Sequence, residues 1–303
     1  MTGRRIAKTL CIAFAAAAAI GGTTNAIAGS SQNHKTCVSD THMTLMKQKL
    51  PQIYEDFQQM AALPLTGQPV YKVLSNPHND IKTCLVPPSK NTWGQYWTDS
   101  NTLNVTKRDT GIATFSHENF HADQDMRGVF DTTYGNTLTR DDYITESMLI
   151  EACAEAYAYT TYKEARIFGP DAHASFQMAY TDFDMDGIFD RAFNDAWKKY
   201  SNADEKIRKE KSLEAGGKAI VRAFLNGKSA MWSGSYSYNS IDSARYFASN
   251  KNALNPGYEA FRRQLFYKTG EISPQINIVP DGLLGKNASQ KIVAVDKMAR
   301  SYS

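Results

Sequence analysis

Residues 117 to 121 read His117-Glu118-Asn119-Phe120-His121. Histidines four apart share one face of a helix, so both imidazoles can bind one Zn²⁺. Glu118 follows the first ligand and can act on water at the metal as general base. A solvated surface helix could carry the same letters without chemistry. Ile112, Ala113 and Phe115 give this helix apolar anchors and speak against that. Gln124 follows His121 by one turn, on the same face, placed to donate a hydrogen bond behind the ligands. Gln124 and Arg127 occupy the places where some zinc helices carry a glycine and a third histidine. The third ligand therefore comes from another element.

The candidates are Glu146, Glu151 and Glu155, all on the next long helical run. On a wheel of about 100° per residue, Glu155 falls about 40° from Glu151, with Ile144, Ser147, Met148, Ala154, Ala158 and Tyr162 nearby. Glu146 falls about 140° away. The face holding Glu151 and Glu155 is small and apolar, which permits close approach to the motif helix. A carboxylate on such a face is costly unless paired or metal-bound. The bland alternative is that both glutamates point to solvent. The wheel alone does not rank the two.

His117-Glu118-x-x-His121-x-x-Gln124, followed by Glu151-Ala152-Cys153-Ala154-Glu155, resembles the gluzincins, zinc metallopeptidases with a glutamate third ligand. More narrowly it is similar to bacterial metallopeptidase-like families of unknown substrate. The similarity covers about Thr102 to Phe168. It implies a zincin-like helical core, His117, His121 and Glu151 as ligands, and Glu118 as base. It also implies that Glu155 is an acidic residue behind the ligands, or the alternative ligand.

Asp182-Phe183-Asp184-Met185-Asp186-Gly187 fits the first half of a calcium loop, with Asp190 as a further ligand. The twelfth position is Phe193 where a glutamate is wanted, so an acidic turn capping the following helix competes with Ca²⁺. His173, Tyr157, Tyr159 and Tyr162 are candidates for stabilising an oxyanion. Trp93, Tyr96 and Trp97 either line a cleft or fill a core.

These residues must be positioned by the surrounding elements. Met43, Met46, Leu50, Ile53, Tyr54 and Phe57 recur at helical intervals over 39–63, with Pro51 a potential kink. Pro69 to Leu74 and Ile81 to Val86 read as short strands around a turn. Gly94 to Trp97 and Thr102 to Thr106 read as a hairpin around Asp99-Ser100-Asn101. Thr102 to Thr106 is expected to run along the cleft and to pair with an extended peptide. Helices follow at Thr110 to Arg127, from Thr139 to Gly169-Pro170, at Asp190 to Tyr200, at Asp204 to Leu225 and at Tyr258 to Thr269. Met231 to Asn239 reads as a loop. The expected fold class is α+β, mainly α-helical, with a small N-terminal β-meander before the helical core.

Residues 1–28 read as a secretory signal peptide. Arg4, Arg5 and Lys8 precede an apolar stretch, and Ala26-Ile27-Ala28 supplies the small-x-small cleavage pattern. The apolar stretch is shorter than the roughly 20 residues of a spanning helix. The formal charge of +3 comes from that segment: it holds three of the 34 Lys+Arg and none of the 31 Asp+Glu. A neutral remainder argues against nucleic acid or anionic membrane as partner. Residues 29–280 are expected to form a single metallopeptidase-like domain, and 281–303 a tail. In an oxidising compartment Cys37 and Cys84 are expected to pair, leaving Cys153 a buried thiol.

The expectation from sequence is a periplasmic or secreted zinc-dependent hydrolase, acting on a peptide or protein substrate. Its rival is a non-enzymatic exported metal-binding or interaction protein.

Overall fold

A computed structural model describes residues 11–15, 36–87, 92–106, 111–130, 140–169, 183–229 and 268–281. For residues 11–15, 92–93, 111–114, 140–145 and 183–184 only the backbone is described. The fold is mainly helical α+β. Its strands are β1 (Cys11–Ala15), β2 (Thr36–Ser39), β3 (Lys82–Val86), β4 (Thr92–Trp97), β5 (Thr102–Thr106), β6 (Glu271–Ser273) and β7 (Ile276–Asn277). Its α-helices are α1 (Met43–Lys49), α2 (Pro51–Ala61), α3 (Gly67–Leu74), α4 (Gly111–Met126), α5 (Arg140–Phe168), α6 (Phe183–Lys199) and α7 (Glu205–Leu225).

The main sheet has the order β1-β4-β5-β3-β2. It is not the expected meander, because β3 and β5 run parallel while the other pairs are antiparallel. The β4–β5 hairpin forms as expected, through a 3₁₀ turn at Thr98–Ser100 and a left-handed Asn101 with φ of 47°. Cys37 lies opposite Cys84 on β2 and β3, and the two are disulfide-bonded. Cys153 is free and buried. Strand β1 pairs with the outer edge of β4, so part of the segment read as a leader adds to the sheet in the intact chain.

Two expected elements take a different form. The helical pattern over 39–63 splits into α1 and α2, with Pro51 as the first residue of α2, where its missing N–H costs nothing. The run ending at Leu74 is helix α3, not a strand. Pro69 sits in its first turn, whose N–H groups have no partner within the helix. Val70 and Leu74, four apart, bury one face of it.

Helix α5 is the axis of the molecule. Residues 151 to 161 are buried without a break, which the small side chains of Glu151-Ala152-Cys153-Ala154-Glu155-Ala156 allow. Helix α4 packs on one side of it, with Phe120 stacked on Tyr157 at 4.4 Å between ring centres. Phe115 meets Phe57 of α2 edge-on at 4.9 Å. Helix α7 packs on another side, starting at the side-chain cap of Asp204 and ending near Gly227, which has φ of 73°. At Gly217 of α7 a side chain would strike Ile278, so the β6–β7 segment lies directly on that helix.

No helix among the described residues is long and apolar enough to cross a membrane. The loop expected at 231–239, the helix expected from Tyr258 (save its last two residues), His173, Asp182 and the tail beyond Asp281 lie outside the described residues.

Candidate metal centre

Helix α4 presents His117 and His121 on the face turned to α5. Their Nε2 atoms lie 3.0 Å apart. Glu151 of α5 meets both: Oε2 stands 3.6 Å from His117 Nε2, and Oε1 stands 3.8 Å from His121 Nε2. Two donors at the usual Zn–N distance in a tetrahedral site are about 3.3 Å apart, so this set brackets the spacing one ion needs. These three residues form a buried cluster able to hold a metal ion, the only such group among the described residues.

The outer ring nitrogens are held as well. His121 Nδ1 lies 2.9 Å from Gln124 Oε1. Gln124 donates through Nε2 to the carbonyls of Thr269 at 2.9 Å and Ile150 at 3.4 Å. Those carbonyls fix the amide's orientation, so Oε1 accepts from Nδ1–H and leaves the Nε2 lone pair for the metal. Gln124 thus accepts from the ligand where the sequence reading had it donate. His117 Nδ1 faces Glu155 Oε2 at 3.6 Å. The wheel left Glu151 and Glu155 unranked; the structure puts Glu151 at the shared Nε2 corner and Glu155 behind His117. Neither points to solvent, with exposures of 7% and 1%. Glu146 is also buried but stands outside the cluster.

The ionisable groups of the cluster perturb one another strongly. Glu118, Glu151 and Glu155 are three buried carboxyls facing two imidazoles. Burial opposes a charged His117, but Glu151 and Glu155 outweigh it and push the ring up to about 9. Burial lowers His121, despite Glu151 beside it. Burial would raise Glu151, yet the two histidines pull it down to about 2. Glu118 is different. Burial pushes it up to about 8, against the pull of His117 and of the Tyr96 backbone, and no side chain hydrogen-bonds its oxygens. A buried carboxyl with no side-chain partner is expensive. The donor set and the surplus of buried carboxyls both fit a divalent cation, and imidazole with carboxylate suits zinc.

Strand β4 closes the site beside Glu118. Gly94 is buried there, and a Cβ on it would fall 2.6 Å from Glu118 Cγ. Two residues on, Tyr96 donates from its hydroxyl to Asp125 Oδ2 at 2.8 Å, tying β4 to α4. Tyr96 is fully buried and belongs to the core, not to a cleft wall. Gly94 escaped the sequence reading; a lone glycine among Trp93, Gln95 and Tyr96 was its signal, because glycine inside a strand marks a close approach. Thr269 carried no comparable signal.

The strand expected to line the cleft, Thr102 to Thr106, has no free edge: β4 and β3 pair with its two sides. The calcium loop is also corrected. Asp184, Asp186 and Asp190 lie within helix α6, where a twelve-residue ion loop has no room. Asp186 and Asp190, one turn apart, hold the buried Lys163 ammonium at 3.3 and 2.9 Å. That site already has its cation. Tyr157 directs its hydroxyl to the Thr66 carbonyl at 3.1 Å, away from the histidines.

No protein-family model, no curated protein and no solved structure matches the chain.

Proposed function

We propose that the chain is an exported zinc-dependent hydrolase of the gluzincin type that cleaves peptide bonds. One observation carries the reading: two imidazoles and a carboxylate converge on one point, and beside them Glu118, which follows His117 in the chain, is a buried carboxyl that no side chain hydrogen-bonds. Zinc held there supplies Lewis acidity toward a carbonyl and toward water. His117, His121 and Glu151 hold it. Glu155 and Gln124 hold the outer nitrogens of the two rings. Glu118 takes up a proton at its carboxylate and returns it to the leaving amine.

Peptide is favoured as substrate by the position of β4. Removal of residues 1–28 would strip β1 from the outer edge of β4 and leave its N–H and C=O groups free. An extended peptide can add to such an edge, beside Glu118. Export is supported by the leader pattern and by the Cys37–Cys84 disulfide, which persists in a periplasm or outside the cell.

The rival, an exported metal-binding protein without turnover, draws on the depth of the site, where both histidines are fully buried. The variant Glu118→Gln separates the two. The purified chain is expected to carry zinc and to cleave a denatured protein substrate. Glu118→Gln should keep the zinc and lose at least about 100-fold in rate. A zinc-loaded chain that cleaves nothing supports the rival, and a variant that loses zinc with activity removes Glu118 from the role of base.

A further inference from the structure

We propose that Gly94 is a positioning residue: the absence of a side chain there is what lets the Glu118 carboxylate occupy its place beside the metal ligands. The inference rests on the reading of Glu118 as the proton-transfer group.

A Cβ on Gly94 would stand 2.6 Å from Glu118 Cγ, 2.9 Å from Oε1 and 3.0 Å from Cδ. Carbon atoms pack at about 3.5–4.0 Å. So the clash involves the whole outer half of the side chain and not a loose tip. Neither backbone has freedom to retreat. Gly94 pairs with Val105 of β5, the central strand, and the Tyr96–Asp125 hydrogen bond clamps β4 to α4. Glu118 sits on α4 between two histidines whose rings are held on both sides. What yields is the Glu118 side chain, which must leave its rotamer and move its carboxylate.

Backbone conformation does not explain this glycine. The glycines with positive φ among the described residues are Gly128 and Gly227. At ordinary φ, glycine inside a strand weakens it relative to alanine. By the backbone alone Gly94→Ala should therefore stabilise the sheet. A destabilising outcome points to the space beyond the Cα.

The experiment compares Gly94→Ala, Glu118→Ala, the double variant and the unaltered chain, each loaded with zinc alone. Zinc content, Tm, kcat and KM on a denatured protein substrate are measured for all four. Gly94→Ala should keep its zinc, lose about 100-fold in kcat with little change in KM, and melt at lower temperature than the unaltered chain. In the Glu118→Ala background the same substitution should not lower Tm, because the methyl fills the vacated space. The proposal is overturned by any of three results: equal loss of Tm in both Glu118 backgrounds, loss of zinc from Gly94→Ala, or unchanged kcat in that variant. If Gly94→Ala does not fold, the double variant must fold, and its failure also overturns the proposal. A zinc-loaded unaltered chain that hydrolyses nothing defeats the hydrolase reading, and the Tm comparison then decides whether Gly94 makes room for Glu118.

Discussion

Helix α5 buries charge at two places about two turns apart, and the two are satisfied differently. Near its C-terminal end, Lys163 is gripped by Asp186 and Asp190 of α6. The adjacent Glu164 accepts three hydrogen bonds: from Leu65 N at 2.9 Å, Thr66 N at 2.8 Å and Thr66 Oγ1 at 2.6 Å. Every charge there meets its complement within the chain. At Glu151 and Glu155 the complement is incomplete. Carboxyls outnumber the imidazoles facing them, and no side chain hydrogen-bonds Glu118. Buried charge is retained only where something pays its desolvation. At Lys163 and Glu164 the protein does so by itself; at Glu151 and Glu155 it leaves a group that could hold a metal ion. The first arrangement is structural, the second is a candidate binding site.

The sharpest way to break this contrast is Glu164→Ala. It would strand three donors that open helix α3, two of them backbone N–H groups. A loss of about 3 kcal/mol in denaturant unfolding is expected, with zinc affinity unchanged. A variant as stable as the parent would mean that water takes over those donors and that the C-terminal end is not self-contained.

Glu155→Gln probes the middle of α5. It keeps the shape and removes the charge behind His117, so zinc should bind about 10–100-fold more weakly while remaining stoichiometric at high concentration. Unchanged affinity in a competition titration would show that Glu155 does not orient the ring.

The smallest effect is expected at Asp56 of α2, where burial, then Glu55, raises the carboxyl to about 7 with no imidazole involved. A carboxyl raised by folding holds its proton better in the native state. Its contribution to stability is intact below the unfolded value near 4 and is lost as pH rises through about 7. Asp56→Asn should therefore stabilise the chain by about 1 kcal/mol at pH 8 and not at pH 4. An equal gain at both pH values would show that packing, not ionisation, is the cause.

The sequence disclosed the helix that carries both histidines and the stop of α5 before Gly169-Pro170, because each depends on neighbours or on a fixed spacing; the Cys37–Cys84 pair was legible because Cys153 stands among alanines on a helix. Helix α3 was missed because its N-terminus is held by Glu164, 98 residues away in sequence from Thr66. Its local letters, with Pro69 and two valines, favour a strand. The acidic run at 182–187 looked like an ion loop for a similar reason: spacing cannot reveal that Lys163 of another helix arrives to neutralise Asp186 and Asp190. Glu151 and Glu155 share a helix face by arithmetic, but only the approach angle of α4 decides which reaches the Nε2 corner. The parallel pairing of β3 with β5 is likewise a long-range choice that alternation of side chains does not encode.

The account turns on His117, His121 and Glu151 forming one metal site, and a zinc titration of Glu151→Gln against a competing chelator tests that most directly. Removing the carboxylate leaves two protein ligands and frees the histidines from their common partner. The variant should show no binding at zinc concentrations that saturate the unaltered chain, a loss of at least about 1,000-fold. Its far-ultraviolet circular dichroism should remain that of the folded protein. If Glu151→Gln, folded, binds zinc as tightly as the parent, the metal is held elsewhere and the contrast between the two regions of α5 has another cause.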